Sequence, residues 1–121
     1  MSEYRFPEAE FGGGCDIAVI ADDRSHADIY EVERCNLSWS DASGAEAQLD
    51  RSQTDLRTSG LVEPNCRFRR FLLHEKIPHC GVRFSVAAFR DRGAFQLVSS
   101  HDEPYRSLLV RYKSFRRAGP F

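Results

Sequence analysis

The sequence has no hydrophobic run long enough to cross a membrane. Its longest mostly apolar stretch, Ile17 to Ala21, is far shorter than the roughly 20 residues that a transmembrane helix needs. The opening segment MSEYRFPEAEF contains acids and no apolar segment, so it does not have the pattern of a secretory signal peptide. We therefore expect a cytoplasmic protein with no membrane partner.

The sequence also lacks the motifs that mark common catalytic and metal sites. Four cysteines are spread along the chain without paired spacing, which favours buried thiols over a disulfide framework or a zinc site. Gly12 to Gly14 precede a predicted strand rather than a helix, unlike a phosphate-binding loop. The pairs Ser25-His26 and His101-Asp102 lie outside any nucleophile motif. We expect no metal, no cofactor and no catalytic residue.

Lysine is scarce, and charge is unevenly distributed along the chain. Fifteen of the 17 basic residues are arginines, which bind phosphate and carboxylate groups through paired hydrogen bonds. Residues 1–65 have 5 basic and 14 acidic side chains, a net charge of −9, whereas residues 66–121 have 12 basic and 4 acidic side chains, a net charge of +8. This asymmetry indicates either a polyanion partner or neutralisation of one half by the other within the fold.

The length of 121 residues is that of a single domain. We expect residues 1–14 to form an acidic N-terminal arm with a glycine-rich joint, and residues 15–121 to form one α+β domain. The apolar segment Cys15 to Ala21 and the alternating segment that begins at Ile29 predict a β-hairpin.

The second strand of this hairpin has two chemically different faces. Alternation places Tyr30 and Val32 on one face and Glu31 and Glu33 on the other. The alternation changes phase after Glu33, which predicts a β-bulge near Arg34.

Residues 40–60 predict a weak central helix or a loop, because Leu49 and Leu56 form only a thin apolar stripe. Ser43 and Glu46 have the spacing of a capping box at its start. The segment that follows predicts a three-stranded antiparallel meander, with Pro78 in the first turn. Its strands are expected at Arg67–Leu73, Cys80–Phe89 and Ala94–Ser99.

The C-terminal segment predicts an amphipathic helix that ends at Gly119-Pro120. Its apolar stripe consists of Tyr105, Leu108, Leu109, Tyr112 and Phe115. The fold class is then α+β: an antiparallel sheet of about five strands, with this helix packed on one face together with the weaker central helix.

From Asp41 onward, the predicted order is helix, three antiparallel strands, helix. This order resembles the double-stranded-RNA-binding domain, and the segment IPHCGVRFSV is similar to the proline-histidine-strand segment of that family. The family opens its last helix with a lysine pair, whereas EPYRSLLV stands here. The phosphate contacts of that pair are therefore not transferred to this chain. The resemblance implies binding of structured RNA.

Charge and resemblance together predict a non-enzymatic binding protein whose arginine-rich C-terminal half engages a polyanion, with structured or double-stranded RNA as the expected class. The predicted phosphate contacts are Arg67, Arg69, Arg83, Arg106, Lys113 and Arg117. Phe71, Phe89 and Trp39 are the candidate exposed aromatics for base stacking. The alternative is a protein–protein module, such as a homodimeric adaptor or inhibitor, in which acidic and basic halves meet.

Overall fold

A computed structural model describes residues 2–76 and 80–118, apart from the side chains of residues 34–36, 76–85 and 117–118. Within this part the chain forms five strands and four helices. In chain order they are β1 (Ser2–Arg5), α1 (Pro7–Phe11), β2 (Ile17–Ala21), β3 (His26–Asn36), α2 (Trp39–Thr58), β4 (Arg67–Lys76), α3 (Cys80–Asp91), β5 (Gln96–Ser99) and α4 (Tyr105–Ala118).

The five strands form one mixed sheet in the order β1-β2-β3-β4-β5. β2 pairs antiparallel with β1 and with β3, whereas β4 pairs parallel with β3 and with β5. A parallel pair needs a long crossover connection, which α2 and α3 provide. The predicted number of five strands is confirmed, although β1 was not among the predicted strands, and the all-antiparallel arrangement is wrong.

Helices cover both faces of the sheet. On one face, α2 and α3 pack against the sheet in a core that includes Ala18, Ile20, Ile29, Leu49, Leu56, Leu72 and Val86. On the other face, α4 packs in a core that includes Ile17, Tyr30, Leu73, Tyr105 and Leu108. Neighbouring strand residues alternate between the two cores, as expected for strands that are buried on both sides. The expectation of helices on one face is therefore wrong.

The segment predicted as the strand Cys80–Phe89 is the helix α3. Val86 and Phe89 are both buried, at 0% and 5% exposure, although they are three residues apart. A helix places such residues on one side, whereas a strand places them on opposite faces. A short apolar run fits both periods, and the parallel pairing of β4 with β5 requires the crossover. The element order of the double-stranded-RNA-binding domain is therefore not present.

The central helix α2 is longer than the sequence suggested, at 20 residues. Leu49 and Leu56 belong to a buried stripe that small residues complete at intervals of three and four. The stripe consists of Ala42, Ala45, Leu49, Ser52 and Leu56. Its capping box is formed by Ser38 and Asp41 rather than by Ser43 and Glu46. Small side chains let the helix lie close to the sheet, so a stripe with only two leucines is enough to pack α2 against it.

The hairpin β2–β3, the C-terminal helix α4 and the bulge are confirmed, the bulge as a register shift between Glu33 and Asn36. Cys15 and Cys66 are free, buried thiols. Residues 2–5, in the segment expected to be an arm, form the edge strand β1. The turn expected at Pro78 and the helix end expected at Gly119-Pro120 lie outside the described residues. None of the described helices has the length and apolar character needed to cross a membrane.

The cap of α2 generates a test of the fold. Ser38 Oγ accepts a hydrogen bond from Asp41 N at 3.1 Å, and Asp41 Oδ2 accepts one from Ser38 N at 2.9 Å. We expect Ser38→Ala to lower the free energy of unfolding by about 1 kcal/mol, because the Asp41 N–H loses its acceptor and Asp41 Oδ2 loses the hydrogen bond from the Ser38 hydroxyl. Urea denaturation followed by circular dichroism measures this change. Ser43→Ala is the control, and an equal loss from both variants would contradict the assignment of the cap.

Candidate functional site

One predicted phosphate contact, Arg69, and two other arginines of the basic half are ion-paired inside the chain. Arg69 donates two hydrogen bonds to Asp28, from Nε at 2.7 Å and from Nη2 at 2.6 Å. Arg70 Nη1 lies 2.6 Å from Asp50 Oδ1. Arg92 binds both carboxylate oxygens of Glu46. Each pair joins an acid of the first half of the chain to an arginine of the second half, so the two halves neutralise each other at these positions.

The basic residues on α4 have a different environment. Arg106 is exposed and Lys113 is half-buried, and within the described residues no ion pair involves either side chain. Val110 lies between them in the sequence and is 66% exposed, whereas Tyr105 and Leu108 are buried against the sheet. Helical spacing therefore places Arg106, Val110 and Lys113 on the solvent side of α4. The side chains of Arg83 and Arg117 lie outside the described residues.

Aromatic side chains accompany the C-terminal part of α4. The Arg111 guanidinium lies 3.8 Å from the ring centroid of Tyr4 on the edge strand, a cation–π contact. Arg116 Nη1 donates to Tyr112 Oη at 3.2 Å. These contacts hold two further arginines beside the solvent side of α4.

Of the three aromatics predicted to stack on bases, Trp39 is exposed, at 55%. Phe89 is 5% exposed and lies within the core under α3. Phe71 is half-buried and stacks on Tyr30, with ring centroids 4.9 Å apart. A stacking role for Phe89 is therefore wrong, because its ring already packs against protein.

A cluster of carboxyl groups lies where α1 meets the sheet. Gly12 (φ 74°) and Gly14 (φ 105°) have left-handed backbone conformations, which lets the chain reverse after α1. The reversal brings Glu8 N within 3.0 Å of Cys15 O and so places α1 beside the start of β2. Asp16, 7% exposed, is hydrogen-bonded through its carboxyl group to both Glu8 and Glu31. We call Glu8, Asp16 and Glu31 the carboxyl cluster.

Burial and the neighbouring Asp16 carboxyl group raise the pKa values of Glu31 and Glu8. The pKa of Glu31 is raised to about 11, first by burial and then by its hydrogen bond to Asp16. The pKa of Glu8 is also raised, first by its hydrogen bond to Asp16 and then by burial. Glu31 Oε2 is buried and has no hydrogen-bond partner. A buried carboxyl oxygen without a hydrogen-bond donor is stabilised either by a proton or by a bound cation.

Polar groups from other elements converge on Asp16. Its Oδ2 accepts from Val32 N at 2.8 Å, and its Oδ1 accepts from Tyr112 Oη at 3.3 Å. Burial, followed by the charge of Asp16, raises the pKa of Tyr112, so this phenol stays protonated and acts as the donor. Asp16 therefore connects β3 and α4 to the carboxyl cluster.

Two openings give access to the carboxyl cluster. A cavity of about 100 Å³ is lined by Glu8, Ala9, Asp16, Tyr112, Phe115 and Arg116. A cleft of about 240 Å³ is lined by Glu31, Glu33, Ser40, Asp41, Gly44, Ala45 and Gln48. Gln48 is oriented by a hydrogen bond that its Oε1 accepts from Gly14 N at 2.8 Å. Within the part of the chain that the structure describes, no three His, Cys, Asp or Glu side chains are arranged to hold a metal ion by themselves.

Sequence reasoning missed the carboxyl cluster, although two signals for it were present. Asp16 is a charged residue at the start of an otherwise apolar strand, and a buried acid there requires partners. Glu31 and Glu33 share a face of β3 that the hairpin presents to α2 rather than to solvent. The contribution of Glu8 depends on the reversal at Gly12, which no residue pattern within α1 indicates.

Comparisons with protein-family models, with curated proteins and with solved structures found no match to the chain. The functional interpretation therefore depends on the geometry of these sites.

The raised pKa of Glu31 predicts a pH-dependent stability. The unfolded chain releases this proton near the ordinary value of 4.5, whereas the folded chain keeps it up to about 11. The stabilisation is therefore complete below pH 4.5 and is lost progressively as the pH rises towards 11. We expect Glu31→Gln, which keeps the neutral form, to raise the free energy of unfolding at pH 7 by on the order of 1–3 kcal/mol.

Denaturant titrations at pH 4 and pH 7 measure this effect. The difference between variant and parent should nearly vanish at pH 4. Glu63→Gln, at an exposed glutamate, is the control and should show no such difference. A destabilised Glu31→Gln variant at pH 7 would mean that the folded protein needs the charge of Glu31.

Proposed function

We propose that the protein binds structured RNA through the solvent side of α4, with Arg106 and Lys113 as phosphate contacts. One observation carries this proposal: these cations have no ion-pair partner within the described residues, whereas Arg69 and Arg92 are neutralised by carboxylates of the same chain. A phosphate group can supply the negative charge that the fold does not supply on α4. Arg111, beside Tyr4 at the edge of the sheet, extends the same surface.

The geometry of α4 suits a polyanion better than a single ion. Arg106 and Lys113 are two helical turns apart, about 10 Å along the helix axis, so they can contact different phosphates of one nucleic acid. Each contact releases condensed counterions, which makes the affinity depend on salt. The protein–protein alternative relied on complementary halves, and the carboxylates of Asp28, Asp50 and Glu46 are already paired within the chain.

The double substitution Arg106→Gln/Lys113→Gln tests this surface. We expect double-stranded RNA to bind at least about tenfold more weakly to it at low salt. We also expect the slope of log affinity against log salt to become less steep by about 1–2, because two phosphate contacts are lost. Fluorescence anisotropy at several salt concentrations measures both quantities, with single-stranded RNA and DNA titrated in parallel.

The matched control is Arg69→Gln/Arg92→Gln, which removes the same charge from positions that are already paired. Equal losses from the two double variants would show that net charge alone decides binding. Absence of RNA binding by the parent at low salt would overturn the proposal, and preferred binding of DNA would overturn the assignment to RNA.

A second candidate function is Mg²⁺-assisted hydrolysis of the phosphodiester backbone at the carboxyl cluster. It is favoured by the buried, unpartnered Oε2 of Glu31 among carboxyl groups whose pKa values are raised. Mg²⁺ commonly uses only one or two protein carboxylates and completes its shell with water and substrate phosphate. Asp16 and Glu31 can supply these two ligands. This candidate departs from the expectation of a non-enzymatic protein.

The residues around the cluster suit this chemistry. Asp16 and Glu31 would hold the ion, which would supply positive charge to the phosphate and lower the pKa of an attacking water. In the hydrolysis, the water oxygen would form a bond to phosphorus, the bond from phosphorus to the leaving sugar oxygen would break, and a proton from the water would end on that oxygen. Tyr112 Oη holds Asp16 in place, and Arg116, which lines the same cavity, provides positive charge beside the cluster.

Asp16→Asn tests the second candidate. We expect cleavage of RNA in 5–10 mM Mg²⁺ to be lost by at least about a hundredfold, because the carboxylate that contacts both other members becomes a neutral amide. RNA affinity in EDTA should stay within about twofold, since α4 is unchanged. Gel electrophoresis of labelled RNA measures cleavage, with Asp91→Asn as a control at an exposed acid. Binding without Mg²⁺-dependent cleavage by the parent would reject this candidate and leave the binding function intact.

A further inference from the structure

A polar cavity lies at the point where β3 and β4 begin. His26 and Arg67 are register partners in the first pair of this parallel ladder. Arg67 N donates to Ser25 O at 2.9 Å, which fixes the two strand starts side by side. The cavity has a volume of about 320 Å³ and is lined by Ser25, His26, Asn65 and Arg67. Alternation places His26 and Arg67 on the face of the sheet that α4 covers farther along.

The next register pair on this face consists of an arginine and an acid, whereas Arg67 has no acid opposite it. Arg69 is the register partner of Asp28, and its guanidinium binds the Asp28 carboxylate through two hydrogen bonds. Arg67 has His26 opposite it instead of an acid, and none of the ion pairs among the described residues includes Arg67. The face of β4 that carries Arg67 and Arg69 thus presents one neutralised guanidinium and one without an ion pair among the described residues.

A chain of hydrogen bonds orients the His26 ring. Ser25 Oγ lies 2.7 Å from Asp23 Oδ1 and 2.8 Å from His26 Nδ1. Asp23 also accepts from Ser25 N at 3.0 Å, and these two hydrogen bonds from Ser25 lower its pKa. Because the Asp23 carboxylate is ionised, the single hydroxyl proton of Ser25 points to it, and His26 Nδ1–H donates to Ser25 Oγ. The ring is therefore held with Nε2 as its remaining polar atom.

The side chains that line this cavity favour an anion over a cation. The other two openings are each lined by carboxyl groups, from Glu8 and Asp16 or from Glu31, Glu33 and Asp41. Here the lining consists of a guanidinium, an amide, an imidazole and a hydroxyl. The nearest carboxylate in the hydrogen-bond chain, that of Asp23, is already taken up by Ser25.

We propose that this cavity binds a phosphate group, with the Arg67 guanidinium as its principal contact, the Asn65 amide as a further donor, and His26 Nε2 as an acceptor for a phosphate hydroxyl where the phosphate has one. The phosphate takes, for Arg67, the place that the Asp28 carboxylate takes for Arg69. This site goes beyond RNA binding by α4, since it uses neither Arg106 nor Lys113. Glu31 lies five residues further along β3, about 16 Å away, so the site is also separate from the carboxyl cluster.

The test is a titration of the full chain with inorganic phosphate, followed by NMR chemical shifts of backbone amides. We expect saturable shifts at His26 and Arg67, and at least a tenfold weaker dissociation constant for Arg67→Gln. Arg69→Gln is the matched control on the same strand and face, and its dissociation constant should stay within twofold. Shifts that do not saturate, or equal weakening in both variants, would overturn the proposal.

A second experiment identifies the molecule that supplies the phosphate group. Short RNA with a 5′-phosphate and the same RNA with a 5′-hydroxyl are compared in the Arg106→Gln/Lys113→Gln background, which removes the α4 contacts. A preference of tenfold or more for the 5′-phosphate that disappears with Arg67→Gln assigns a terminal phosphate. Equal affinities that both fall with Arg67→Gln assign a backbone phosphate. Inorganic phosphate binding with no effect of Arg67→Gln on either RNA assigns free phosphate.

Discussion

The parallel pairing of β3 with β4 is the constraint on which the rest of this structure depends. Two parallel strands cannot be joined by a tight turn, so residues 37–66 must cross the sheet, and they do so mainly as α2. The same pairing places β3 at the centre of the sheet, where helices cover both faces, so the neighbours Ile29 and Tyr30 enter different cores. It also decides which charged residues meet. Asp28 lies opposite Arg69, whereas His26 lies opposite Arg67.

This arrangement explains why an acidic first half and a basic second half fold together. Arginines of β4 and the segment after α3 reach carboxylates of β3 and α2, so much of the opposite charge is neutralised within the chain. Such partly exposed pairs contribute at most about 1 kcal/mol each to stability. They neutralise three arginines of the second half, whereas Arg67, Arg106 and Lys113 have no ion pair among the described residues.

Sequence reasoning reached the hairpin, the bulge and α4 because each has a strong local pattern. It failed at α3, where a short apolar run fits the periods of both strand and helix, and only the parallel pairing of β4 with β5 decides between them. It undervalued α2, since alanines and Ser52 complete a stripe that two leucines only suggest. Among the site residues, Arg106 and Lys113 could be placed on an outer helical face from spacing alone. The pairing of Arg69 with Asp28 could not, because strand register is a long-range property.

The hydrogen bond from Tyr112 to Asp16 joins α4 to the carboxyl cluster. Tyr112 belongs to α4 and is adjacent in sequence to Lys113, while Asp16 is the centre of the carboxyl cluster. Any ligand that changes the charge or position of Asp16 acts on the helix that carries the basic surface. By thermodynamic reciprocity, any factor by which a polyanion on α4 changes the affinity of the carboxyl cluster for a cation equals the factor by which that cation changes the affinity of α4 for the polyanion. The hydrogen bond from Tyr112 to Asp16 is thus a direct contact through which such a coupling would act.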